Sequence, residues 1–359
     1  RVAEGEALEA AFKYIVISSI GALFILFAIG IFYAQYNALN IATLAHLLQF
    51  TFLDKFALVI LLVSLGMKAG LAPMHMWLPD SYGRAPPSIV LIIMSATLAS
   101  FYGILRVVFT FYGNVLTTSL RFSLPAHVVI GWTLIALAIV SILIGVIMAL
   151  VQTDLLRLIG YVAVAEIGYM FLAIGASVAS LGAPYATVAL HGGILHIFND
   201  AVDIGLLFLV AGAIYYVTKK RSLDDISGLA RTMKFTTIFF MIGLLAVAGM
   251  PPLNGFTSKF LIYESVYQLN PILSIIALLG SILLLAIFVK VLYAAFLGPQ
   301  LPSLKDVTEA PKSMLLAMGF LAGFALFIGL FPNLLLDTLV KPAASALLDH
   351  AQYISMVVG

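Results

Sequence analysis

From Ala126 to Leu150 the chain carries no Asp, Glu, Lys or Arg. About 20 consecutive apolar residues suffice to carry a helix across the hydrocarbon core of a bilayer. In that solvent only a helix or a closed barrel satisfies its own backbone N–H and C=O groups. Comparable runs recur at about 11–35, 56–79, 87–112, 126–150, 156–180, 184–217, 234–262, 272–297 and 312–333. The third ends near Gly113-Asn114 and the eighth at Gly298-Pro299. The expected fold is all-α: a polytopic membrane helix bundle of about nine transmembrane helices. The tail from Leu334 to Val358 carries Asp337, Lys341, Asp349 and His350 and reads as an interfacial helix.

Only 9% of the 359 residues are charged and 63% are hydrophobic. Soluble domains carry about 25% charged residues, so a soluble enzyme is excluded. A net charge of +2 gives no reason to expect a nucleic-acid partner. With no cysteine the chain has no thiolate for an iron–sulfur cluster, a disulfide or a nucleophile. Its histidines show no paired-haem arrangement. No cofactor is expected in this chain, and redox centres, if the protein serves a redox machine, lie on other subunits.

Nine spans put the two chain ends on opposite sides of the membrane. One side then holds Arg1, Lys13, Arg84, Arg157, Lys219, Lys220, Arg221, Arg231, Lys234, Lys305 and Lys312, the other only Lys55, Arg106, Arg121 and Lys341. By the positive-inside rule the first side is cytoplasmic. The expectation is a multi-pass protein of the cell membrane, N-terminus inside and C-terminus outside. The acidic stretch Arg1–Ala10 lacks signal-peptide features. It reads as a loop entering a helix, with upstream residues absent or the protein a short form of longer relatives.

Two spans are interrupted, one by Gly66-Met67-Lys68-Ala69-Gly70-Leu71-Ala72-Pro73 and one by Gly249-Met250-Pro251-Pro252-Leu253-Asn254-Gly255. Proline removes a backbone donor and clashes with the preceding turn. The carbonyls it frees must face a polar cavity or protein neighbours. One such break reads as a simple kink. Two, marked by Gly70, Pro73, Pro251, Pro252 and Gly255 and each with a lysine nearby, suggest a transporter-like internal repeat.

A charge at mid-bilayer costs at least ~2.5–3.5 kcal/mol on insertion scales and persists beside a cavity, a partner or an ion path. The ion-translocation candidates are Lys68, His75, Glu166, His191, His196, Asp200, Asp203, Lys259, Glu264 and Lys290. Lys68 lies too centrally in its span to snorkel. A buried amine poised between desolvation and a nearby carboxylate can load and release a proton. His196 and Asp200 are four apart and Asp203 three further on, so they form a polar stripe on one helical face. Such a stripe could bind a metal or pack structurally between helices; a proton or cation path is the preferred reading, with no metal. Glu166 could extend that path. Glu264 could instead mark the membrane edge, and Lys290 sits near enough to a span end for snorkelling.

Three stretches carry a family resemblance. Gly66–Pro79, GMKAGLAPMHMWLP, resembles a lysine-bearing broken helix followed by a P-x-H-x-W-L-P signature; Gly160–Gly168, after the Gln152–Arg157 run, resembles the segment that follows a D-L-K-R-L-x-A-Y pattern; and Gly228–Lys259 resembles G-G-L-x-R-x-M-P followed by A-G-x-P-P-L-N-G-F-x-S-K. They resemble the antiporter-like subunit family of complex I, Mrp-type sodium/proton antiporters, membrane-bound hydrogenases and sulfur-reducing relatives. The resemblance implies an inverted-repeat architecture in which the nine spans match the family's sixth to fourteenth helices, the first five lying before Arg1. Residues 1–112 then hold three helices of an incomplete first repeat, 113–297 the five-helix second repeat, and 298–359 the last span with the C-terminal helix. Lys68 matches the first-repeat lysine and Lys259 the terminal ion site of the second. The chain departs from the pattern at Leu98, where many relatives have lysine, at Ile204, and at Glu166, where relatives often have glutamine.

The resemblance implies a non-redox subunit of an ion-translocating oxidoreductase complex, NADH:quinone oxidoreductase-like or hydrogenase-like, moving H+ or Na+. Its implied partners are further antiporter-like subunits, small Mrp-type subunits, membrane lipid and, indirectly, redox subunits. The alternatives are a non-conducting membrane scaffold of such a complex, or a stand-alone cation/proton antiporter.

Overall fold

A computed structural model describes residues 5–120 and 124–358. Arg1 and Arg121, used in the charge sorting, lie outside them. The chain order is α1 (Gly5–Tyr36), α2 (Ile41–Leu47), α3 (Phe52–Ala69), α4 (Trp77–Arg84), α5 (Pro87–Leu105), α6 (Ala126–Val151), α7 (Leu155–Ala179), α8 (Pro184–Thr218), α9 (Lys234–Val247), α10 (Asn254–Leu269), α11 (Pro271–Val291), α12 (Lys312–Leu330), α13 (Pro332–Leu335), α14 (Lys341–Leu348) and α15 (His350–Val358). π-Helical turns extend α5 over Arg106–Phe111 and α11 over Leu292–Leu297. Among the described residues, seven unbroken helices are long and apolar enough to cross a membrane: α1, α5, α6, α7, α8, α11 and α12. The two interrupted spans are composites, α3 with α4 and α9 with α10.

The bundle is built around α7, nearly all of whose side chains are buried. It is enclosed by α4, α6, α8 and α10. Helices α6 and α7 approach along Gly131, Gly145, Gly168 and Gly175; a Cβ on Gly145 would stand 2.5 Å from the Ala165 nitrogen. Small residues let backbones approach closely where lipid supplies no hydrophobic drive for helices to associate. At the periphery Leu23, Leu26 and Phe27 of α1 and Phe320 and Phe324 of α12 are exposed, as lipid permits.

Helix α3 runs through Lys68 and ends on Gly70, whose φ of +81° is left-handed. That conformation favours glycine because a Cβ would clash. The chain then crosses a loop with a cis Ala72-Pro73 bond to α4. The indole Nε1 of Trp77 donates to Met67 O at 3.0 Å, and the Ala72 N–H donates to Ser141 Oγ at 2.8 Å. The second break repeats this plan. Helix α9 ends before Gly249, with φ +74°, and Pro251-Pro252 is cis. Gly70, Pro73, Pro251 and Pro252 thus lie between the half-helices. Gly255 does not: it sits in the first turn of α10, where a Cβ would collide with the Ala246 carbonyl, so its role is close approach of α10 to α9.

Further features differ from the sequence reading. Helix α1 begins at Gly5, inside the stretch read as a loop. Helix α2 was not anticipated; it is seven residues long, too short for a periodicity signal, and Asn40 caps its N-terminus at the Ala42 and Thr43 amides. The tail is not one helix. It is helical from Pro332 through a π-turn to Leu348, is interrupted at Asp349 and resumes as α15. Helix α14 packs on α8 and the end of α5, and α15 on α2.

Candidate functional site

Five ionisable residues from three helices converge at the middle of the bundle: Glu166 on α7, His196, Asp200 and Asp203 on α8, and Lys259 on α10, all buried. Lys259 Nζ lies 2.8 Å from Glu166 Oε1. It also donates to Val247 O at 2.7 Å and Ser281 Oγ at 3.2 Å, and sits 4.2 Å from the Tyr169 ring centroid. Every contact favours a positive charge. Val247 is the last residue of α9, so the ammonium also meets the negative end of that half-helix dipole. The geometry follows from the break: ending α9 exposes a carbonyl, and α10 returns the lysine to it.

The other carboxylate oxygen, Glu166 Oε2, lies 3.2 Å from His196 Nε2. On the far side of the ring, His196 Nδ1 is 3.1 Å from Ser258 Oγ. Asn199 Nδ2 donates to Ser258 Oγ and to Asn254 O, both at 2.8 Å, and Ser258 Oγ is 3.2 Å from Gly255 O. Tyr169 OH donates to Ala277 O at 2.6 Å and accepts from Ser281 Oγ at 3.0 Å, while Tyr263 OH lies 2.6 Å from Ser281 Oγ. The result is a continuous polar network in an apolar surround, with Lys259, Glu166 and His196 in line.

Asp200 and Asp203 extend it along α8. Each has an Oδ1 that is buried and makes no hydrogen bond among the described residues, as do both side-chain polar atoms of Asn254. Asp203 Oδ2 lies 3.4 Å from where a Cβ on Gly255 would stand, at the positive N-terminal end of α10. Thus α9 offers its negative end to Lys259 while α10 offers its positive end to Asp203.

Lys68 is separate. It is half-buried and lines a cavity of about 70 Å³ with Tyr14, Ser18, Trp77, Thr97 and Ser100. That has room for a few waters. No carboxylate among the described residues lines it. Thr97 Oγ1 is 3.1 Å from the hydroxyl of the fully buried Tyr82, whose ring packs edge-on to Phe208 of α8. A hydroxyl pair therefore stands between the Lys68 cavity and the helix that carries Asp200.

The remaining candidates stay outside the network. Glu264 is exposed on α10, so Lys259 is paired with Glu166 and not with its nearer neighbour in sequence. Lys290 is exposed and donates to Leu150 O at 3.0 Å, closing the C-terminal end of α6. His191 is half-buried. His75 is buried in the first break, with Nδ1 unpartnered among the described residues. Sequence reasoning missed the second tier, Tyr169, Asn199, Asn254, Ser258, Tyr263 and Ser281; the available signal was polar side chains on apolar helices within a turn or two of a charged candidate.

It also missed an ionic cluster at the chain-start end of the bundle. Asp80 pairs with Lys13 at 2.7 Å and with Arg157 at 3.0 Å, and Arg84 pairs with Asp154 at 3.2 Å and with Glu6. Asp154 also caps α7 at the Arg157 amide. The cluster ties α4, the second half of the first broken span, to the start of the helix bearing Glu166. No group of three or more His, Cys, Asp or Glu side chains suited to a metal ion occurs among the described residues.

Residues 2–284 match the family model described as NADH:quinone oxidoreductase/Mrp antiporter, transmembrane. The chain is 31% identical to NADH-quinone oxidoreductase subunit N of Desulforudis audaxviator over 94% of its own length and 67% of that protein. It is 29% identical to hydrogenase-4 component B of Escherichia coli, covering 90% of this chain and 49% of that protein. It thus spans about half to two thirds of these curated relatives. A chain of the Mrp complex from Dietzia sp. superposes with a TM-score of 0.86 at 23% identity, over 98% of this chain and 70% of that one, and so shares the fold. By motif, fold and sequence match, the chain belongs to the transmembrane subunit family common to NADH:quinone oxidoreductases and Mrp antiporters.

Proposed function

We propose that the protein is an ion-translocating antiporter-like subunit of a multisubunit membrane complex, and that Lys259, Glu166 and His196 form the ion-carrying centre of its second half. One observation carries this reading. A lysine 1% exposed is held between a carboxylate 2.8 Å away and the open end of a broken helix. A buried ion pair is weak evidence for stability, and ionisable groups at this depth mark ion pathways.

The chemistry follows from the hydrogen bonds. If Ser258 donates to His196 Nδ1, the ring is neutral with its proton on Nε2, which lies near Glu166 but outside hydrogen-bond geometry. If Ser258 turns its proton to Gly255 O, Nδ1 itself becomes the donor and the ring takes up a second proton. Rotation of one hydroxyl therefore sets whether Nδ1 accepts or donates, the second proton arriving from and returning to the ion path, while Nε2 lies 3.2 Å from Glu166 Oε2 without making a hydrogen bond. Charge on His196 competes with Lys259 for Glu166. Coulomb coupling is strong at low dielectric, so loading one site loosens the other, and the protons of such a set come off in coupled steps. Asp200 and Asp203, with unpartnered oxygens, continue the route along α8. As hard oxygen ligands they suit Na+ as well as H+. Tyr82 and Thr97 offer a link to the Lys68 cavity; with no carboxylate on it among the described residues, that cavity supports a reading in which the first half conducts differently from the second.

The repeat limits, 1–112, 113–297 and 298–359, belong to the same proposal, as do the cytoplasmic N-terminus and a chain without a cofactor of its own. The proposed partners are further antiporter-like and small Mrp-type membrane subunits, with redox subunits reached through them. In inside-out vesicles containing the assembled complex, Lys259→Met, Asp200→Asn and Asp203→Asn should each slow ion uptake at least tenfold while assembly persists. Proton-sensitive dye against radiolabelled Na+ would identify the ion. Native rates in all three variants would favour the non-conducting scaffold.

A further inference from the structure

Away from the ionic network, α5, α8 and α14 enclose an apolar groove of about 390 Å³. Leu98, Leu105, Ile194, Ile197 and Leu347 line it, and among the described residues no carboxylate does. Tyr102 and Phe198 stand on its lining 63% and 41% exposed, so the groove opens sideways to the bilayer. One charged residue, Arg106, lines it as well. From Leu98 to Arg106 the groove follows α5 for eight residues, or about 12 Å at the helical rise. It therefore has a cationic end and an apolar length.

Arg106 takes part in none of the ion pairs among the described residues. Its guanidinium carbon lies 4.5 Å from the Tyr353 ring centroid. Stacking on an aromatic ring uses the guanidinium face; the planar N–H edge is the part that recognises phosphate, two hydrogen bonds at a time. A half-buried arginine that makes no ion pair needs an anion, and an apolar slot open to the bilayer fills with an acyl chain. We propose that this groove is a binding site for an anionic phospholipid, its phosphate on Arg106 and one acyl chain along α5 and α8 beneath α14. The bound lipid would fill the seam between α5 and α8 and hold the C-terminal helices against it.

Native mass spectrometry of the full chain in detergent, titrated with phosphatidylglycerol or phosphatidylcholine, tests this. Phosphatidylglycerol should bind about tenfold more tightly, the equivalent of about one charge-assisted hydrogen bond. Arg106→Gln should erase that preference, Arg106→Lys should retain part of it, and Ala346→Phe, which fills the slot from an exposed position, should weaken both lipids. Inorganic phosphate alone should not displace the lipid, because it lacks the acyl chain. Equal binding of the two lipids, an unchanged preference in Arg106→Gln with native binding in Ala346→Phe, or displacement by phosphate would overturn the proposal.

Discussion

At the scale of single residues, partnered and unpartnered charges should respond in opposite ways to neutralisation. Glu166→Ala would leave Lys259 buried opposite an empty position. Removing one member of a buried pair costs about 3–5 kcal/mol, so the melting temperature in detergent should fall by several degrees. Asp203→Asn should do the reverse. Its Oδ1 lacks a hydrogen bond among the described residues, and burying an unpartnered polar or charged atom is unfavourable. The variant should melt no lower than the native protein while transporting more slowly, the usual exchange of stability for function. A lower melting point for Asp203→Asn would mean that the α10 N-terminus facing Oδ2 stabilises the carboxylate by more than the unpartnered Oδ1 costs.

At the scale of elements, the breaks should depend on the groups that close them. Gly70→Ala places a Cβ on a left-handed residue and against Leu78, which should cost about 1 kcal/mol or more. Trp77→Phe removes the indole donor from Met67 O, which keeps the Gly70 N–H at 3.2 Å, so the loss should be that of one hydrogen bond, about 0.5–1.5 kcal/mol. Unfolding in SDS would measure both, and native stability in Trp77→Phe would show that the Gly70 N–H alone is enough to close that carbonyl. The breaks were legible in the sequence because glycine and proline act locally. So were the limits of the long helices, fixed by apolar runs ending at Gly, Pro or charge. Helix α2 and the interruption at Asp349 were not legible, because a seven-residue helix and a one-residue stop leave no periodic trace. The Lys259–Glu166 pair was not either: its members are 93 residues apart, and only the packing of α10 on α7 joins them. Glu264, five residues from Lys259, was closer in sequence and is exposed.

At the scale of the whole molecule, the charge sorting makes a topological statement that suits direct labelling. The chain has no cysteine, so single cysteines can be introduced without a background. Lys220→Cys should react with an impermeant maleimide only from the cytoplasmic side, and Thr117→Cys only from the opposite side. Both reacting from one side would mean an odd number of miscounted spans between them. The same view separates a conducting centre from a bracing one. Glu264 and Lys290 share helices with the network or its neighbours yet lie exposed, so they serve as internal controls for charge loss at the surface.

The decisive comparison is ion flux through the assembled complex in sealed vesicles for four variants measured together: Glu166→Gln and Lys259→Met inside the network, Glu264→Gln and Lys290→Met outside it. A loss of tenfold or more in the first two, with near-native flux in the last two, is expected if ions pass through the buried pair. Native flux in Glu166→Gln and Lys259→Met would contradict that outright.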